Sequence, residues 1–179
     1  MGPEASEAVP ALLEALEDKN WSKSHNYLVP HALGRIGPAA KDAIPALKQG
    51  MEEDTQTAPW YAEALWRIDP GQRDIANDVL QRSFTHTNRF TRVKAARVHW
   101  GINKNPEVAV PLLIELLNDP KNLWMINTML ALKDIGSAAT NAIPALKEKL
   151  NDKDKVVQEV AGEVIAKIGE EAQRGKRDR

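Results

Sequence analysis

The chain has 179 residues, 42% hydrophobic and 27% charged, with a formal net charge of −1. That is the make-up of an ordinary soluble folded chain with a sizeable core, and its balanced charge gives no global pull toward nucleic acid or membrane. There is no cysteine, which excludes disulfides, thiolate nucleophiles and cysteine-based zinc sites.

No apolar run approaches the roughly 18 residues of a membrane helix, and no charged-then-apolar leader is visible. The expected location is therefore cytoplasmic, with no membrane partner. In chain order, the first segment is "GPEASEAVPALLEAL" from Gly2, an apolar-periodic helix. It matches "GPAAKDAIPALKQG" from Gly37, so the chain opens on a repeat boundary. Arrays of repeats usually carry a polar cap. The start reads as a piece of a longer protein, against a native start whose exposed first helix is tolerated.

Pro30 then falls in the second helix of the first unit. A mid-helix proline costs about 3 kcal/mol, so this helix is either kinked or begins late, after "NWSKSHNY". The second unit reads as helices "PAAKDAIPALKQGMEE" and "APWYAEALWRI". The third, "PGQRDIANDVLQRSFTHTNRFTRVKAARVHWGIN", lacks the proline that the other units carry. In the fourth, "DPKNLWMINTMLALKDI" predicts a helix with Asp119 as N-cap and Pro120 in its first turn. The fifth runs from "IGSAATNAIPALKEKL" to "VVQEVAGEVIAKIG", and "EEAQRGKRDR" reads as linker or frayed terminus. No strand alternation is convincing, so the fold class is all-α.

The segment AIPALK occurs at 43–48 and again at 142–147, 99 residues later. Three units of 33 fit that distance. Ile36, Ile68, Ile102, Ile135 and Ile168 close successive units at steps of 32, 34, 33 and 33 residues. Gly37, Asp69, Asn103, Gly136 and Gly169 follow them, the types that best tolerate a left-handed helix end. Three residues before each anchor stand Leu33, Leu65, His99, Leu132 and Ile165. Pro10, Pro45, Pro111 and Pro144 share one phase. They predict either a built-in bend or a helix that starts late with proline in its first turn. The units are about 2–37, 38–69, 70–103, 104–136 and 137–169, followed by a charged tail at 170–179.

"LGRIGPAAKDAIPALKQGM", "LKDIGSAATNAIPALKEKL" and "VVQEVAGEVIAKIG" resemble short bacterial HEAT-like repeats, the type also found in bilin lyases. The resemblance covers about residues 2–169. It implies a right-handed α-solenoid of about five antiparallel helix pairs, first helices convex and second helices concave. It implies a non-enzymatic scaffold for a protein or peptide, or else a lyase-type module for bilin attachment.

The residues themselves offer little chemistry. There is no phosphate loop, dinucleotide fingerprint or HExxH. His25, His31, His86 and His99 form no i, i+4 pair, so no metal is expected. His99 sits at a core phase and reads as a partly buried imidazole. Ser22, Ser24 and His25 are near one another but lack an orienting acid. No cofactor and no catalytic residue is expected.

Each second helix has an apolar stripe at the anchor and at −3, −4, −7 and −11, with −2, −5 and −9 opposite and −1 on the flank. If the resemblance holds, that opposite face lines the groove. It carries Tyr27, His31, Arg35, Glu63, Trp66, Arg67, Arg97, Trp100 and Lys133. Trp66 and Trp100 share a phase in consecutive units and are expected about 8–10 Å apart. Aromatic residues beside arginine are typical of binding hot spots; the alternative is that both indoles pack between neighbouring second helices. Trp21, Trp60 and Trp124 read as core or turn packing. Finally, no Asp or Glu occurs from Val79 to Pro106, while Arg82, Arg89, Arg92, Lys94, Arg97 and Lys104 do. This stretch is either a phosphate-neutralising patch for nucleic acid or a solvated face answered by acidic neighbours in units one and two.

Overall fold

The computed structural model describes residues 3–17 and 27–177; Gly2, Trp21, Ser22, Ser24, His25 and the last two residues of the tail lie outside the described residues. The described residues form helices and turns without strands. The α-helices are α1 (Val9–Glu17), α2 (Leu28–Ile36), α3 (Ile44–Glu53), α4 (Ala58–Ile68), α5 (Arg73–Ser83), α6 (Arg89–Asn103), α7 (Pro106–Asn118), α8 (Met125–Ile135), α9 (Ile143–Lys149) and α10 (Lys155–Arg177). They fall into two compact units, Met1–His86 and Thr87–Arg179.

The duplicated AIPALK segment has a structural reason. Ile36 and Ile135 each end a helix, and Gly37 (φ 76°) and Gly136 (φ 69°) follow. At positive φ a side chain is penalised and glycine is not. The Gly37 and Gly136 N–H groups donate back to the Leu33 and Leu132 carbonyls. A 3-10 segment comes next in both places, Gly37–Ala43 and Gly136–Ala142, broken at Ala40 and Ala139. The alanines at 40, 43, 139 and 142 are fully buried, so only a methyl group fits where the backbone turns against its neighbours. The α-helix restarts at Ile44 and Ile143 with Pro45 and Pro144 in the first turn. A first-turn proline lacks an N–H that the helix would leave unbonded anyway. The sixteen-residue helix expected from the sequence is therefore two pieces, and proline marks a late start. Pro10 likewise sits second in α1.

Pro111 differs: it lies inside α7. That helix begins five residues earlier, directly at Pro106, because the Asn105 carboxamide oxygen accepts the Glu107 N–H at 2.9 Å and caps it. The other ends also depart from the simple pattern. Asp69 is extended (φ −141°) and uses its carboxylate on the Gly71 N–H and the Gln72 amide. Those two bonds, the Gln72 one first, lower its pKa. Asn103 is the last residue of α6, and the left-handed position is one later, at Lys104 (φ 51°). Gly169 ends nothing: α10 runs through it to Arg177, so the tail is helical as far as that residue. Glu171 on that extension accepts the Ser137 N–H at 3.2 Å and pairs with Lys167.

Of the two readings of Pro30, the late start holds: helix α2 begins at Leu28, after "NWSKSHNY", with Pro30 in its first turn. One correction concerns the next second-helix start. Helix α8 begins at Met125, not at Pro120. Asp119 is no N-cap but the C-cap residue of α7; its carboxylate closes a local turn on the Lys121 N–H and meets Arg89. The residue that organises this corner is the buried Asn122. Its amide donates to the Leu116 carbonyl (2.7 Å) and to Thr128 Oγ1 (3.1 Å), and its oxygen accepts the Trp124 N–H (2.9 Å).

In the first unit α2 packs on α4, α1 and α3 touch, and α4 is held by α3 and α5. In the second unit α8 packs against both α6 and α10, while α7 touches α9. Second helices thus stack on second helices and first on first, the packing of an α-solenoid of HEAT type. The second unit's core includes Leu113, Leu116, Leu117, Leu132, Leu146, Val164 and Ile168, all fully buried. Each contributes about 1.5–3 kcal/mol relative to exposure.

His99 occupies the phase that holds leucine or isoleucine in the other units, and it is buried. Burial lowers its pKa below 6.5. Below the unfolded value the unfolded chain takes up a proton that the folded chain resists. Stability is therefore fully present above about pH 6.5 and falls as pH drops through the folded pKa. A His99→Leu variant should show a shallower loss of urea-unfolding free energy than the parent between about pH 7 and 5.

Candidate outward face of the second helices

In the first unit His31 and Arg35 are exposed on α2, while Gly34 between them is buried. A Cβ on Gly34 would lie 2.8 Å from the Ala64 Cα and 3.5 Å from the Arg67 Cδ. Helix α4 therefore passes within backbone contact of α2, and the Arg67 stem lies across the glycine. Arg67 is exposed and donates through Nε (3.0 Å) and Nη2 (2.7 Å) to one oxygen of the half-buried Glu63. Trp66 is half-buried. Tyr27 is turned inward onto the buried Trp60, with ring centroids 5.4 Å apart.

In the second unit Arg97 is exposed and pairs with Asp134 at 2.6 Å. Trp100 is half-buried, with one side on the core and Lys104 Nζ 5.1 Å from its ring centroid, a cation–π distance. Lys133 pairs with Glu163 at 3.1 Å. Two ion pairs thus step from α6 to α8 and from α8 to α10 across the outward positions. Exposed pairs of this kind are worth at most about 1 kcal/mol each, so they fix the register of neighbouring helices more than they stabilise them.

The face is narrower than the helical phase suggested. Pro59 and Val93, both at position −9, are buried. Val93 belongs to the core cluster because both α7 and α8 pack on α6. Trp66 and Trp100 belong to different compact units. Neither indole is sealed in, and neither is fully exposed.

The basic stretch is largely answered from within the protein. Arg82 pairs with Glu52 (3.2 Å) and Asp78 (2.9 Å). Arg89 pairs with Asp119 and Arg92 with Glu115. The Arg89 hydrogen bond and then the Lys121 N–H hold the Asp119 carboxyl below the usual carboxylate range. Lys94 is half-buried and Lys104 is exposed. Acidic neighbours in units one and two were expected; only Glu52 fits, and Asp119, Glu115 and Asp134 all come from unit four. Apart from the i, i+4 pair of Arg82 with Asp78, the contacts span 23 to 37 residues, which is why no local window reveals them.

Among the described residues no three His, Cys, Asp or Glu side chains gather as a metal site would require. No helix among them is long and apolar enough to cross a membrane.

Helix pairs stacked like upon like, with an outward row of mixed aromatic and charged residues, define a helical repeat protein. A family model described as HEAT repeats matches residues 76–166, about half of the chain, and the chain belongs to that family. HEAT repeats generally mediate protein interactions and are typically non-catalytic. No curated protein matches the chain.

Proposed function

We propose that this protein is a non-enzymatic scaffold that holds a protein or peptide segment against the outward face of its second helices, the concave side of a HEAT array. The observation that carries the reading is a half-buried indole on the second helices of each unit, Trp66 on the helix of exposed Arg67 in the first and Trp100 on the helix of exposed Arg97 in the second. A fixed indole with one face on its own core and the other toward solvent offers contact area with little entropy left to lose. A nucleic-acid backbone role draws less support, because Arg82, Arg89, Arg92 and Arg97 already hold carboxylates.

The test is the double change Trp66→Ala with Trp100→Ala. The far-UV circular dichroism should persist at 25 °C while partner affinity falls by at least about tenfold. Retained affinity would sink the reading, and loss of helicity would show that the indoles serve packing.

A further inference from the structure

Helix α10 runs through a place where the chain elsewhere turns. Gly169 stands one repeat after Gly136 and at the phase of Gly37. Those two glycines follow the last residue of a second helix and turn at positive φ, and the alanine three residues on, Ala40 or Ala139, is fully buried. Ala172 holds that same place after Gly169. Yet α10 continues to Arg177, and Ala172 is only half-buried. From Gly169 onward the residues have the pattern of a repeat start and the conformation of a helix end.

The helix gains little from these residues. A Cβ at Gly169 or at Gly175 would meet nothing within 4 Å, so neither glycine is there to let another element approach. Alanine would favour the helix over glycine by about fivefold at each place. Residues 169–177 are also too few to stay helical alone, since isolated helices shorter than about 12–15 residues are marginal in water.

Glu171 ties the extension down. One of its oxygens pairs with Lys167 at 3.0 Å, and the other accepts the Ser137 N–H at 3.2 Å. A Cβ on Gly136 would overlap that second oxygen, so the carboxylate lies directly on the Gly136 turn. The donor is particular to this repeat. At the matching place in the second repeat stands Pro38, which has no N–H to give.

We propose that residues 169–177 are a latch with its hinge at Gly169. Straight, the segment lies on the Gly136–Ser137 turn through Glu171. Released, Gly169 takes the left-handed turn of Gly37 and Gly136, and the segment folds as the opening of a further repeat layer. The hinge lies just beyond Val164 and Ile168, so release leaves both in the core. It separates Glu171 from Lys167, which stands on the flank of the outward face. The latch thereby sets whether that lysine is paired at the edge of the face.

The test is amide hydrogen exchange of the nitrogen-15-labelled full chain, read residue by residue. Amides 170–175 should exchange as one block, at least about tenfold faster than those of 164–168, with the step at Gly169. Ordinary fraying gives protection that declines gradually toward the helix end. Ser137→Pro, which copies the second repeat, should speed the block about two- to fivefold although residue 137 lies outside α10. Glu171→Ala should do the same although alanine favours a helix; if circular dichroism shows Ser137→Pro unfolded, Glu171→Ala decides. Gly169→Ala should slow the block by at least about tenfold, because it both favours the helix and penalises the left-handed turn. Gly175→Ala, with the first effect alone, should slow it by no more than about fivefold. A graded profile without a step, indifference to the loss of the Glu171–Ser137 bond, or equal slowing by the two glycine variants would each overturn the proposal.

Discussion

Replacing Gly34 by alanine should lower the unfolding free energy by about 1–3 kcal/mol, although glycine to alanine inside a helix ordinarily raises stability by about 0.5–1 kcal/mol. The reversal follows from what a Cβ would meet. At Gly34 the nearest atom is the Ala64 Cα, 2.8 Å away, and a backbone atom in a packed helix has no rotamer by which to retreat. Helices α2 and α4 must separate, and the contact they share loosens. The control is Gly101 in α6, where a new Cβ meets nothing within 4 Å and the ordinary gain should appear. Urea unfolding of the two single variants checks both signs. A stabilised Gly34→Ala would mean that α2 and α4 do not approach as closely as described.

The second large effect is expected at Asn122. Changing it to alanine strips the Leu116 carbonyl of its 2.7 Å donor and the Trp124 N–H of its acceptor, and takes a bond from Thr128 Oγ1. Groups left unsatisfied in a buried place cost about 1–3 kcal/mol each. A total loss of about 2–4 kcal/mol follows: the Leu116 carbonyl keeps only the long 3.4 Å bond from the Asp119 N–H, the Trp124 N–H loses its Asn122 acceptor, and Thr128 keeps its bond to the Trp124 carbonyl. Asp119→Ala, by contrast, should cost only about 1 kcal/mol, because that carboxylate serves an exposed turn and an ion pair that is still partly open to solvent. Equal effects at the two sites would contradict the assignment of the corner to Asn122.

That contrast marks where the sequence was legible and where it was not. The isoleucine anchors and the leucines three residues before them are fixed by core geometry, and they read directly as a period with paired helices. The shared prolines left a bend or a late helix start open; Pro45 and Pro144 make the late start, whereas Pro111 lies inside a helix that Asn105 had already started upstream. Asp119 before Pro120 has the form of a helix start, and nothing local says that the chain first makes a turn and that Asn122 is buried. The earlier signal was present in one respect: an asparagine beside two apolar residues, Leu123 and Trp124, is an odd neighbour in a solvated loop.

Side-chain pairing was the least legible part. The acid-free stretch from Val79 to Pro106 read either as a phosphate-neutralising patch or as a face answered by acidic neighbours, because most of its carboxylates sit about one repeat away in sequence. In a stack of repeats a separation near 30 residues is a nearest-neighbour distance, so charge must be balanced over a repeat period and not over a window. The outward positions of the second helices were legible as far as helical phase reaches. His31, Arg35, Arg67 and Arg97 face solvent, whereas Tyr27 turns onto Trp60 and Val93 joins the core. Phase ignores what the first turn of a helix is pressed against.

The most direct measurement is a titration of nitrogen-15-labelled protein with its binding partner, following the indole N–H resonances. The account predicts that the Trp66 and Trp100 signals shift together at saturating partner while that of the buried Trp60 stays in place. Shifts confined to other tryptophans, with Trp66 and Trp100 unmoved, would contradict it.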